Sequence, residues 1–403
     1  MRVLYLSTWW PWPPNNGSRI RANYLLRALA RRHSVTVVGF NPEASTASVA
    51  LENVTTYPVP VDPFRYVRLP QLVKYLSPVP LVFWRIGEMA AAIRRLASRE
   101  NWDAVVAVQA PVARYALRFS ALPRILDIDT SLSYQLRERY LEQKTYLGAW
   151  RSWLSWYKAY LYERMLFRKF QTCAVVSPLE VPSVQAMVGN RSKVTVLPNG
   201  VDCAHHRLGL ADVRPHTLIY NGALTYIANY DAMRYFLAEI YPLLKSALPD
   251  LTLSITGSTK GVNLDGLQLD ASVHLTGYVD DIRIPIAQSA VCVVPLRQGG
   301  GTRLKILEAM ALGTPVVSTS KGAEGLEVID NQHLLLADTP ETFAAAVLRV
   351  MNDCDLRERL RHNARALVEA RYDWEMVGAQ FVALVEDAAQ ANGLTDQGIE
   401  EPA

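Results

Sequence analysis

The stretch Val293-Val294-Pro295-Leu296-Arg297-Gln298-Gly299-Gly300-Gly301-Thr302-Arg303-Leu304-Lys305-Ile306-Leu307-Glu308-Ala309-Met310 decides how the rest of the chain is read. A β-branched apolar run leads into three glycines, and an apolar helical pattern follows at once. Glycines let backbone N–H groups close on an anion, and a helix N-terminus adds unpaired donors and a positive dipole. Arg303 and Lys305 put two full positive charges at the same end, which suits a diphosphate. Glu308, one turn into the helix, offers a carboxylate to two ribose hydroxyls. A plain strand-to-helix turn with a surface Arg and Lys explains three glycines and two cations less well.

Outward from this turn, short β-branched runs alternate with helical patterns along nearly the whole chain. The first half offers Val3–Ser7, Val35–Gly39, Val105–Val108, Ile125–Asp127, Cys173–Val176 and Val194–Leu197. The second offers Thr217–Tyr220, Leu251–Thr256, Val273–Leu275, Val291–Pro295, Pro315–Ser318 and His333–Leu336. Nearly continuous apolar runs suit strands covered on both faces. Helical patterns lie between them, such as Arg19–Arg31, Phe83–Arg99, Asn229–Leu248, Leu304–Ala311 and Pro340–Val350. This alternation, run through twice, predicts an α/β chain of two doubly wound parallel sheets. The 403 residues fit two domains of that kind.

The turn signal Pro198-Asn199-Gly200 sets the boundary. The expected division is 1–200 and 201–374, with a helix over 375–389 completing the first domain and a disordered polar tail over 390–403.

Charge divides the same way. Residues 1–200 hold 26 Lys and Arg against 12 Asp and Glu, whereas residues 201–403 hold 16 against 26. The basic half favours a membrane surface or an anionic acceptor, or is simply a solvated surface. It carries no nucleic-acid motif. Seven histidines in no triad-like setting give no hydrolase signal. Cys173, Cys203, Cys292 and Cys354 are scattered, as in a reducing compartment. Trp9–Pro14 breaks the first apolar run too soon for a signal peptide, and no apolar stretch is long enough to span a bilayer. The expected location is cytoplasmic, at most on the inner face of a membrane.

Three first-half segments are candidates for chemistry. Pro13-Pro14-Asn15-Asn16-Gly17-Ser18-Arg19 is a shorter glycine loop ahead of a helix, with Arg19 and Arg21 on its first turn. Asp127-Ile128-Asp129 has the spacing of a metal motif, but two acids alone make a poor site, and no metal is expected. Asp129 reads equally as a helix cap with Thr130-Ser131 or as a group projecting to a ligand hydroxyl. The run Tyr146–Phe170 sets Trp150, Trp153, Trp156, Tyr157, Tyr160 and Tyr162 among cations, either as core or as a membrane-surface helix.

From Gly299 to Leu326 the chain resembles retaining glycosyltransferases of family 4. The likeness runs through Glu308-Ala309-Met310-Ala311-Leu312-Gly313-Thr314-Pro315 and reaches upstream to Leu197-Pro198-Asn199-Gly200-Val201-Asp202. Tyr220-Asn221-Gly222, Thr256-Gly257-Ser258 and Leu275-Thr276-Gly277-Tyr278-Val279-Asp280-Asp281 extend it over most of the second half. It is nearest to sugar transferases of exopolysaccharide gene clusters, and the first half matches mainly by layout.

The resemblance implies the GT-B fold, two facing Rossmann-like domains with parallel sheets and a cleft between them. It implies a nucleotide-diphosphate sugar as co-substrate, no other cofactor, and a glycan or lipid-linked acceptor on the first domain. Donor contacts carried over by position are Gly17, Ser18, Asn221, Gly222, Gly257, Tyr278, Val279, Gly300, Gly301, Thr302, Leu304 and Glu308. Arg303, Lys305 and Asp129 are the expected catalytic groups, Asp129 standing where many relatives carry a His.

Two departures matter. The first Glu of the family's paired acids falls on Gly300, and the loop Asn221–Tyr226 lacks the usual Arg and Lys. The expectation is that Arg303 and Lys305 supply those charges. The rival readings are an epimerase of the same fold and a non-catalytic nucleotide-sugar binder.

Overall fold

The computed structural model of the chain describes residues 1–43, 51–64, 77, 79–141, 143, 145–299 and 303–396. It divides into two units, Met1–Pro198 together with the chain from Val377, and Asn199–Met376.

The first unit is built on seven parallel strands: β1 (Arg2–Ser7), β2 (Ser34–Phe40), β3 (Val54–Val59), β4 (Ala104–Val108), β5 (Arg124–Asp129), β6 (Thr172–Val175) and β7 (Lys193–Val196). Their order is β3-β2-β1-β4-β5-β6-β7. β1, β4 and β6 are almost wholly buried, as their unbroken apolar runs require. β3 escapes the sequence pattern because it is an edge strand. Thr55 and Thr56 face solvent, and Pro58, which cannot donate to a ladder, is tolerated there. Strand order reverses between β1 and β4, so the crevice beyond Ser7 and Val108 is where a doubly wound sheet takes a ligand.

The second unit has six parallel strands: β8 (Arg214–Asn221), β9 (Thr252–Thr256), β10 (Val273–Gly277), β11 (Ser289–Val294), β12 (Val316–Ser318) and β13 (Leu335–Leu336). Their order is β10-β9-β8-β11-β12-β13, which reverses between β8 and β11. The crevice of this unit therefore lies beyond Asn221 and Val294.

The helix expected over Asn229–Leu248 is broken into Ile227–Tyr235, a π-helical turn Phe236–Ile240 and Tyr241–Ala247. Pro242 is the cause, since it has no N–H for the ladder and its ring crowds the preceding turn. The last helix, Trp374–Asp396, continues into the stretch expected to be a disordered tail.

Candidate functional site

In the second unit, three loops at the carboxyl ends of the strands are laced together. The amide of Gly222 donates to Thr256 O, that of Leu224 to Ser258 O and that of Gly257 to Gly277 O. Gly257 has φ +100°, and a Cβ there would lie 2.6 Å from Ala223 N, so only glycine fits.

The helix Leu304–Leu312 brings Lys305 and Glu308 to this edge, three residues apart and so on one face. Lys305 Nζ stands 3.9 Å from the centre of the Tyr220 ring and donates to Asn229 Oδ1 at 3.0 Å. The same oxygen accepts from Tyr220 OH at 2.7 Å, while Asn229 Nδ2 donates to Ala223 O at 2.8 Å. A Cβ on Gly222 would come within 2.7 Å of Lys305 Nζ, so the missing side chain lets the ammonium reach the end of β8. Beside it, Asn221 Nδ2 donates to Glu308 Oε2 at 2.8 Å, and Cys292 Sγ donates to Asn221 Oδ1 at 3.7 Å.

Burial acts on both charges. It lowers the Lys305 ammonium to about 7, Cys292 and Glu308 opposing that drop. It raises the Glu308 carboxyl to about 7, against the Asn221 hydrogen bond and the Lys305 charge. Burial makes each group costly to charge, and each would be favoured in its charged form by a complementary ligand.

Arg303 sits differently from the sequence picture of a cation reaching for a diphosphate. Its buried guanidinium donates to the carbonyl oxygens of Gly299 and Lys321, tying the first residue of the glycine run to the loop after β12. Leu304 opens the helix. Tyr278 is exposed and Val279 half-buried on the loop after β10, one strand further from the crevice than the Gly257 turn. Gly300, Gly301 and Thr302 lie outside the described residues.

In the first unit, a cavity of about 230 Å³ opens at the ends of β1, β4 and β5. Thr8, Trp9, Ser18, Gln109 and Asp129 are among its lining residues. Gly17 starts the helix Gly17–Ala30, capped by Asn16 Oδ1, which accepts from Arg19 N at 3.0 Å. Gln109 and Asp129 both have positive φ, +69° and +63°, which turns their side chains out of the strand register. Burial raises the Asp129 carboxyl to about 6, with Arg21 opposing. The Gln109 carboxamide is buried and close enough to Asp129 for its hydrogen bond to oppose that rise.

Asp127 and Asp129 do not form a pair on one strand face. The β5–β6 register shifts between them, and Asp127 is fully buried against Arg21. Arg21 is thereby turned inward, away from the glycine loop where its sequence position suggested it. Among the described residues no group of three His, Cys, Asp or Glu side chains is arranged to hold a metal ion.

Sequence reasoning missed Gln109 and Asn229. Gln109 follows an apolar run and precedes Ala-Pro, with no motif to mark it. Asn229 had one signal: an Asn in the first turn of a helix is suited to bonding nearby backbone.

Two family models match the chain. Residues 16–200 match the glycosyl transferase 4-like domain, and residues 215–353 match the glycosyl transferases group 1. A phosphatidyl-myo-inositol mannosyltransferase of Propionibacterium freudenreichii subsp. shermanii is 30% identical over 217 residues, 51% of this chain and 53% of the relative. The chain thus spans about half the length of the curated relatives it matches. Sucrose-phosphate synthase from Thermosynechococcus elongatus superposes with a TM-score of 0.73 at 17% identity, over 97% of this chain and 100% of that one. Anabaena Alr3699/HepE in complex with UDP gives 0.65 at 15% identity, over 96% and 100%. These likenesses show the fold, which is GT-B.

Proposed function

We propose that this chain, whose two halves match glycosyltransferase family models on a GT-B fold, is a glycosyltransferase. It moves a sugar from a nucleoside diphosphate sugar to a saccharide or lipid-linked saccharide and retains the anomeric configuration. The observation that carries this reading is the Lys305–Glu308 pair, held by Asn221, Tyr220 and Asn229 at the strand-order reversal of the second unit.

In this reading Lys305 meets the diphosphate, together with amides at the start of its helix. Glu308 accepts from two ribose hydroxyls. Arg303 acts as a positioning residue, holding Gly299 and so the entry to the turn. As the glycosidic bond breaks, negative charge grows on the leaving diphosphate, and a preorganised cation stabilises it without reorganisation. The leaving group then takes the acceptor hydroxyl's proton as that oxygen bonds to the anomeric carbon.

Retention and a place in exopolysaccharide synthesis are supported by the family resemblance. The UDP complex of the Anabaena neighbour supports a nucleotide donor, and the name of the mannosyltransferase relative supports a lipid-linked acceptor. The family matches do not favour an epimerase or a non-catalytic binder.

A thermal-shift series with UDP-, GDP-, ADP- and dTDP-sugars tests the donor class. A specific ligand at 100 times its Kd should stabilise the fold by about 2.7 kcal/mol. If no nucleotide sugar raises the melting temperature and none is turned over with any acceptor, the reading fails.

The first-unit cavity is assigned to hydroxyls of the acceptor or of the transferred sugar, read by Asp129 and Gln109. Asp129→Asn and Gln109→Ala should each raise the acceptor KM on the order of tenfold and leave UDP-type affinity unchanged. If an ionised Asp129 is required, transfer falls as pH drops through about 6. Equal loss of nucleotide affinity in both variants would remove this assignment.

A further inference from the structure

The helix Tyr146–Phe167 has two sides of opposite meaning. Ala159, Glu163, Leu166 and Phe167 are buried, and Leu166 and Phe167 pack into the hydrophobic core of the first unit. Tyr146, Trp150, Trp153, Tyr157, Leu161 and Met165 recur at steps of three and four residues, so they form one stripe. That stripe faces solvent: Tyr146 is 98% exposed, Trp150 62% and Met165 58%. The run the sequence left open between core and surface is therefore largely surface. Two of its rings, Trp153 and Tyr157, stack with centroids 5.4 Å apart and planes 5° from parallel.

Charge along the same segment has one sign. Tyr146–Phe170 holds Arg151, Lys158, Arg164, Arg168 and Lys169 against a single acid, Glu163. Glu163 is fully buried: its carboxylate accepts from Ser131 Oγ and the amides of Leu132 and Ser133 at 2.8–3.0 Å. No other acid occurs between residues 143 and 179, while Arg151, Arg164 and Lys169 are exposed. A Trp/Tyr stripe bordered by cations matches the headgroup layer of a bilayer, where rings lie at the water boundary and cations meet lipid phosphates. A second copy of the chain fits worse, because pairing this face with itself opposes like charges. The helix does not cross the bilayer: no helix among the described residues is long and apolar enough.

We propose that this face docks the chain on a membrane leaflet rich in anionic phospholipid, the helix lying in the plane of the interface. The inference stands apart from the transferase reading, because membrane binding is measured without a reaction.

The test is cosedimentation of the full chain with phosphatidylcholine vesicles, with and without phosphatidylglycerol. Binding should appear with phosphatidylglycerol, weaken with added salt, and shift tryptophan emission to the blue. Removing the stripe with W150S, W153S and Y157S together should weaken binding by at least about tenfold, because the inserted apolar area is lost. These side chains are exposed, so the melting temperature and circular dichroism should hold. Neutralising Arg151, Arg164 and Lys169 to Gln should lower affinity on the order of 100-fold on anionic vesicles only. The proposal is overturned if the unaltered chain ignores anionic vesicles, or if the stripe variant binds them equally well. Self-association that buries Trp150 without vesicle binding would overturn it too.

Discussion

Arg21→Met is expected to destabilise the first unit by about 3–5 kcal/mol, the usual cost of breaking a buried ion pair and stranding one charge. Both side chains of the Arg21–Asp127 pair have no exposed surface. The contact is two-pronged, Nε to Oδ2 at 2.9 Å and Nη2 to Oδ1 at 2.6 Å. The guanidinium also donates to Leu197 O at 2.9 Å and Pro198 O at 3.0 Å, at the end of the unit's chain before Asn199. Methionine fills much of the volume but leaves a buried carboxylate and two carbonyls without these donors.

The double variant Arg21→Met, Asp127→Leu separates these costs. Removing both charges should restore the part due to the stranded carboxylate, since an apolar pair of similar volume is often no worse than an ion pair. The remaining deficit then measures the two carbonyl anchors, about 1 kcal/mol each. Calorimetry follows the first-unit transition, with a drop of about 10 °C expected for the single variant. A single variant within about 0.5 kcal/mol of the unaltered chain would mean that the pair contributes nothing.

Arg21 also marks where sequence reading stops. Its place on the turn after Gly17 put it beside the glycine loop, but linear spacing does not say which side of a helix the sheet will cover. The strands were legible because buried parallel strands read as unbroken apolar runs. β3 was not, because an edge strand with exposed threonines and a proline lacks that signature. Lys305 and Glu308 were each legible, as a cation at the start of a helix behind a glycine turn and as a carboxylate one turn in. What the sequence could not express is that Lys305 lies on the Tyr220 ring and Arg303 on backbone carbonyls. Two cations two residues apart in one motif thus have different partners. The aromatic run shows the same limit: its periodicity is identical whether the stripe faces core or solvent.

Lys305→Met is expected to weaken nucleotide-sugar binding on the order of 100-fold, about 3 kcal/mol for one charge-assisted contact in a half-buried site. The pH dependence makes the prediction specific to this pair. Burial holds the free ammonium at about 7, and a bound diphosphate favours its charged form, so its pKa rises on binding. Affinity must then fall as pH climbs above about 7, where the free site has lost its proton. Glu308 runs the other way. Its carboxyl is held at about 7 and must ionise to accept ribose hydroxyls, so affinity also falls as pH drops below about 7. The unaltered chain should bind donor best near neutrality. The two limbs belong to the pair, since neighbouring groups share their titration.

Lys305→Met should flatten the alkaline limb, and Glu308→Gln should flatten the acid one. A nucleotide sugar is the ligand to use, because its diphosphate is esterified at both ends and does not itself titrate in this range. Calorimetry in buffers of different ionisation enthalpy should show proton uptake above neutrality and release below it. Affinity independent of pH from about 6 to 8.5 would mean that neither group meets the donor. Loss of both limbs in Lys305→Met alone would mean that Glu308 acts only by placing the lysine.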